Sequence, residues 1–169
     1  MRGKTPLQHV DILGVDRPDL RRVYETQFAS LVSLARLLVG EDGLAEELVQ
    51  DTFARLLERP PRVSEANTMN AYVRSAVLNA ARSRIRRLVL ERKHAKPSPT
   101  STTDHTPDHA LRAALLELPI RQRQCVALRY YEDRTVQDIA NLLDISAGSV
   151  KTHLHRGLKR LEEAMKEQP

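Results

Sequence analysis

Apolar side chains in the first half of this chain recur at the period of a helix and not of a strand. Leu20, Val23, Tyr24, Leu31, Ala35 and Leu38 share one face of a 3.6-residue repeat, which predicts an amphipathic helix closed by Gly40. Beyond Asp42 the same period returns in Leu44, Ala45, Leu48, Val49, Thr52, Phe53, Leu56 and Leu57. Pro60 and Pro61 end that run, because neither can donate an intrahelical hydrogen bond. After the loop from Arg59 to Ala66, Asn67 is the expected N-cap of a third, longer helix with a buried stripe of Met69, Val73, Ala76, Val77 and Ala80. Three helices around one core are thus expected for residues 19–95, preceded by a loose, aperiodic extension over 1–18.

The pattern then stops. From Lys96 to Pro107 there are three prolines and no aliphatic side chain, so this stretch adds nothing to a core and reads as a flexible linker, 96–107. Periodicity resumes with Ala110, Leu111, Ala114, Leu115 and Leu118, ended by Pro119, and a further helix is expected from Ile120 to Tyr131. Thr135 with Asp138 three residues on has the form of a capping box, opening a helix that runs to Leu143. Asp144-Ile145-Ser146 breaks the chain, and in the last helix Val150, Leu154, Leu158, Leu161 and Met165 make an inward stripe. Two short helices with that break between them read as a helix-turn-helix over 108–169. The expected fold is all-α: two small helical domains joined by a flexible linker, the C-terminal one a helix-turn-helix.

Composition narrows the partners. The 169 residues are 41% hydrophobic, enough for real cores, and carry a net charge of +5, which favours an anionic partner. Cys125 is the only cysteine, so no intrachain disulfide can form, and a buried thiol in a reducing cytoplasm is expected. Gln8, His9, Asp11 and Asp16 interrupt any apolar segment after Arg2 and Lys4, which argues against a signal peptide. No apolar run approaches the roughly 20 residues of a membrane span, so no membrane partner is expected.

With Val150, Leu154 and Leu158 turned inward, Ser149, Lys151, Thr152, His155, Arg156 and Lys159 face outward, the composition a groove-reading helix needs. An arginine can grip guanine with two hydrogen bonds, whereas lysine and serine more often hold phosphates. Gly157 is a poor helix former in that helix, and either permits close packing or is merely tolerated. A second basic run, Arg82 to Lys93, has Arg or Lys at six of twelve positions, and meeting a polyphosphate would release counterions from it. Asn79 and Ser83 precede or join it on the same helix and can add hydrogen bonds. The second helix has the opposite sign: Glu41, Asp42, Glu46, Glu47 and Asp51, with Gln50 among them, occupy a window without one basic residue. Such a surface repels DNA and suits a basic protein partner. No glycine-rich phosphate loop, metal-ligand spacing or nucleophile with a base is present, and His153 and His155 diverge on a helix, so neither enzyme chemistry, cofactor nor metal is expected.

The acidic Leu-Val-Gln-Asp-Thr-Phe helix, the Ala-Tyr-Val-Arg-Ser-Ala-Val-Leu-Asn-Ala-Ala-Arg-Ser helix, the linker, and Leu-Pro-Ile-Arg-Gln-Arg-Gln ahead of the helix-turn-helix together resemble the extracytoplasmic-function (ECF) group of bacterial sigma factors, over roughly Leu20 to Met165. The resemblance implies that the first domain recognises and helps open a promoter −10 element, that the last reads the −35 element as duplex, and that both bind core RNA polymerase. By motif match, Glu47, Gln50, Asp51 and Phe53 fall where this family docks on the clamp coiled coil of the β′ subunit. Asn79, Arg82, Ser83 and Arg86 fall on the −10-facing helix, and the loop Arg59 to Thr68 on the stretch that pockets an unstacked base. Ser149, Lys151, Thr152, His155 and Arg156 match the −35 helix. An anti-sigma protein is a further partner the resemblance admits. The chain departs from many relatives in having no Trp at the start of the third helix, where it has Met69 and Tyr72; a core position is expected for that tyrosine. A second reading stays open here, an operator-binding regulator that acts without polymerase.

Overall fold

The computed structural model describes residues 17–61, 66–94 and 107–166; most of the N-terminal extension and of the linker lies outside these. Helix α1 (Arg17–Val39) ends at Gly40, whose amide donates to the Arg36 carbonyl at 2.9 Å. Gly40 has φ +84, a left-handed conformation that side chains disfavour, and a Cβ there would lie 2.7 Å from Leu116 Cδ1. Helix α2 (Asp42–Glu58) follows at once, tied back by an Arg36–Asp42 ion pair of 2.9 Å, and α3 (Ala66–His94) is the longest helix. The predicted cap Asn67 falls one residue inside α3. Leu31, Leu34, Ala35 and Leu38 of α1, Ala45, Val49 and Phe53 of α2, and Met69, Val73, Val77, Leu78 and Ala81 of α3 are all buried together. Tyr24, expected on the buried stripe, is partly exposed, yet its ring closes edge-on over Phe53 with centroids 5.1 Å apart.

The second domain comprises α4 (Pro107–Glu117), α5 (Ile120–Val126), α6 (Val136–Leu143) and α7 (Ala147–Lys166). Where one regular helix was expected to Tyr131, α5 runs into a widened π turn over Ala127–Tyr131, closed by the Glu132 amide on the Ala127 carbonyl. The extra residue per turn, followed by Asp133 at φ 52, swings Glu132 toward α3. The predicted capping box of α6 is present: the Asp138 amide donates to Thr135 Oγ1 at 3.1 Å, and the Thr135 amide donates to the Asp138 carboxylate at 3.2 Å. Asp144, at φ 52, makes the break, and Ser146 caps α7 by accepting the Ser149 amide at 3.0 Å. Gly157 lets α7 lie against α5, for a Cβ there would stand 3.0 Å from Val126 Cγ2. Leu161 of the expected stripe is buried, Leu154 half-buried and Leu158 exposed, so α7 buries a narrower face than its sequence predicts. Cys125 is fully buried, and desolvation pushes its thiol up to about 11, so it stays protonated and inert at neutral pH.

The two domains are packed against each other. Cys125, Leu128, Ile139 and Leu143 join the same apolar cluster as α1 and α3. Polar groups cross the seam as well. Arg74 of α3 pairs with Glu132 at 2.6 Å, the Ser75 hydroxyl donates to the Leu142 carbonyl at 2.9 Å, and Gln124 donates to the Leu78 carbonyl at 2.7 Å. Arg112 donates to the Gly40 carbonyl at 2.8 Å. Arg123, itself buried, donates to the carbonyls of Leu38, Leu116 and Leu118. One guanidinium thereby satisfies the C-terminal ends of α1 and of α4, where the helix dipoles favour a cation.

Candidate nucleic-acid interface

Helix α7 presents its expected face to solvent. Lys151, Thr152, His155, Arg156 and Lys159 are exposed, and Ser149 is half-exposed beside its cap. Thr152 spends its hydroxyl on the Gly148 carbonyl at 3.0 Å, and Lys159 stands 4.0 Å from Glu163. Arg156, Lys151 and His155 are therefore the freer groups for bases and phosphates. His153 points the other way: half-buried, its Nδ1 has no hydrogen-bond partner, and desolvation with nearby Arg121 and Arg156 lowers its pKa, keeping it neutral at pH 7.

The α3 residues divide between two faces. Asn79 and Ser83 line a cleft of about 480 Å³ between α2 and α3, together with Glu47, Asp51 and Arg55 from the facing wall. Two sets of residues expected to serve different partners thus share one cleft. Ala76 and Ala80, expected in the core, also line it. Arg86 is exposed, whereas Arg82 is half-buried on the side of α3 toward the second domain, where burial first and the Arg82 charge second lower the pKa of Arg121. Arg82 follows Ser75 and Leu78 on that side of the helix.

Glu47, Gln50 and Asp51 are exposed, with Gln50 donating to Glu46 at 3.2 Å. Phe53 is not: it is 4% exposed and lies in the α1–α2–α3 core, so its surface role is corrected to holding α2 in place. A phenyl ring at that point of the period satisfies the apolar stripe before it can offer anything to a partner. Of the loop 59–68, residues 62–65 lie outside the described residues. Tyr72 corrects the second expectation. It is 43% exposed and lines a groove of about 670 Å³ with Asn70 of α3 and Arg134, Asp138 and Asn141 of the second domain. Sequence reasoning missed the seam residues Arg74, Glu132, Arg123 and Gln124. The available signal was weak: Arg74 sits directly beside Val73 on a stripe that is otherwise apolar.

An all-α frame of two domains, one of them a helix-turn-helix with an exposed basic face, defines a DNA-binding protein of transcription. Residues 23–89 match the family described as Sigma-70 region 2, and residues 108–161 match Sigma-70, region 4. The chain is 34% identical over 145 residues to the RNA polymerase sigma-E factor of Streptomyces coelicolor, covering 83% of this chain and 82% of that protein. It is 28% identical over 158 residues to the ECF RNA polymerase sigma factor SigL of Mycobacterium tuberculosis, covering 88% and 89%. Its fold is similar to that of the sigma factor RpoE solved with the anti-sigma factor NepR from Bartonella quintana, at TM-score 0.68 and 20% identity over 89% of this chain and 99% of that one. CnrH, solved with the cytosolic domain of CnrY, gives TM-score 0.65 at 17% identity over 91% and 92%. The chain belongs to the ECF group of RNA polymerase sigma factors. Its function is to direct the initiation of transcription at specific promoters, as a regulatory factor.

Proposed function

We propose that the two domains divide promoter recognition, residues 108–169 reading the −35 element through α7 and residues 19–95 engaging the −10 element through α3. Arg156, Lys151 and His155 reach base edges and phosphates of the duplex, with Ser149, Thr152 and Lys159 fixing register. Asn79, Arg82, Ser83 and Arg86 engage the opened −10 strand. Glu47, Gln50 and Asp51 form an acidic docking face for the basic side of the β′ clamp coiled coil. All covalent chemistry belongs to the polymerase, and this chain takes no cofactor. It works in the cytoplasm and is held inactive by an anti-sigma protein, as the RpoE of the solved complex is bound by NepR.

The observation that carries this reading is the separation of sign across the first domain and α7: acidic groups on the exposed side of α2, basic groups on the exposed side of α7. Run-off transcription with core enzyme and a genomic promoter library tests it. Promoter-dependent transcripts are expected only when both core enzyme and this chain are present. A sequence-specific footprint by the chain alone, without any effect on core enzyme, would favour an operator-binding regulator instead.

A further inference from the structure

We propose that the groove between the start of α3 and helix α6 is a binding site for a free nucleobase compound, a nucleoside or nucleotide, held by its ring against Tyr72 and by its edge between Asn70 and Arg134. Of the groove's lining only Thr68 belongs to a stretch assigned above to promoter DNA, so its occupant is a separate matter from promoter recognition.

The groove holds about 670 Å³. A single bridging water takes up only about 30 Å³, whereas small-molecule sites run from roughly 300 to 1,000 Å³. Three helices wall it: α1 contributes Gln27, α3 contributes Asn70, Tyr72 and Arg74, and α6 contributes Asn141, with Arg134 just ahead of its cap.

Most polar groups around the groove already have partners. The Ser75 hydroxyl serves the Leu142 carbonyl, Arg74 pairs with Glu132 at 2.6 Å and donates to Gln27 at 3.3 Å, and the Asp138 carboxylate accepts the Thr135 amide and hydroxyl at 3.2 and 2.7 Å. Two buried atoms do not. Asn70 Oδ1 has no hydrogen-bond partner, and neither has Arg134 Nε, which stands 3.5 Å from Glu132 Oε2 without bonding to it. An acceptor on one wall and a donor on another are thus left open, and each costs free energy until something meets it. Asn141 spends its oxygen on Gln137 at 3.1 Å, which leaves its amide nitrogen for a further acceptor.

Net charge does not select the occupant. Arg74 and Arg134 share Glu132, and Arg134 also lies beside Asp138, whose carboxyl is held below the usual range first by Thr135 and further by that arginine. Guanidiniums and carboxylates therefore balance, and what remains unmet is hydrogen bonding next to an aromatic face, for Tyr72 is exposed on the same wall. A purine or pyrimidine base has the matching chemistry: an N–H for Asn70, a ring nitrogen or carbonyl oxygen for Arg134 and Asn141, and a flat face for the tyrosine. A base still joined to a strand has to bring its neighbours between α3 and α6, which the Ser75–Leu142 bond ties together at the groove wall. A free compound brings none.

Titrating the full chain by calorimetry with adenosine, guanosine, cytidine and uridine in turn supplies the test. At least one is expected to bind saturably, with a Kd below about 1 mM, and to slow amide exchange over residues 72–75 and 138–142, one segment on each wall. Tyr72→Ala should weaken binding about tenfold, and Tyr72→Phe, which keeps the ring, should restore it. Asn70→Ala should weaken it severalfold; if that variant loses helical circular dichroism, Asn141→Ala, at an exposed position on the other wall, takes its place. No saturable binding by any of the four overturns the proposal, as does equal affinity in a folded Tyr72→Ala protein. A single-stranded oligonucleotide that displaces the nucleoside and binds more tightly assigns the groove to a DNA strand, and overturns the free occupant as well.

Discussion

Two interfaces of this molecule differ in kind. Inside the first domain, α1, α2 and α3 meet through Leu34, Leu38, Val49, Phe53, Val73 and Val77, all aliphatic or aromatic. Between the domains, apolar contacts are interleaved with Arg74–Glu132, Arg123, Gln124 and Ser75. An apolar interface loses its stabilisation whenever it meets water, so it stays closed; a polar one exchanges partners for water at small net cost. The first domain is thus held chiefly by apolar packing, whereas the seam adds ion pairs and side-chain hydrogen bonds to a continuation of the same apolar cluster.

The sharpest way to break that distinction is Phe53→Ala. It should cost about 3–5 kcal/mol and unfold the first domain as a unit, seen as a fall in the urea midpoint with little change in slope. A loss much below that range would mean the interior is as loosely held as the seam. Next in size, Arg123→Met leaves the carbonyls of Leu38, Leu116 and Leu118 unpaired at two helix ends, an expected cost of about 1–3 kcal/mol. If the seam is the weaker interface, this variant should loosen exchange between the domains before it lowers protection of Val49 or Val77; simultaneous loss would contradict it.

Thr135→Ala removes the cap of α6 and should cost about 1 kcal/mol, with exchange quickened at the start of α6 and unchanged in α2. Smallest in stability is Asp51→Lys, an exposed change expected to leave the thermal midpoint where it is while weakening association with core polymerase. Equal affinity for wild type and variant would remove Asp51 from the docking face. Together with Phe53→Ala it separates a residue that meets the partner from one that only holds the helix carrying it.

The sequence made the helices legible because their apolar periods are long and their stops are chemical: Gly40, Pro60 and Pro61, Pro119, and the Thr135–Asp138 box. It also made the outward face of α7 legible, since the inward stripe fixes the opposite side. The seam was not legible. Arg74 and Glu132 are 58 residues apart, and nothing local marks a charged residue whose partner is supplied by another domain. The π turn hid as well, for widening a helix by one residue leaves its composition unchanged. Phe53 lies on the apolar stripe where its period put it, and only the docking role carried over from the family motif conflicts with its burial; Tyr72 was misread because it lies at the border of a face, where a small rotation of the helix decides between core and surface. Only packing fixes that rotation.

Gly157 carries a consequence for how this protein can change over generations. With no side chain at that point, α7 packs directly against Val126 of α5. The outer residues of α7 are then free to be exchanged without re-aiming the helix. Substitutions on that face leave the packing beneath undisturbed, whereas a side chain at Gly157 would push α7 away from Val126.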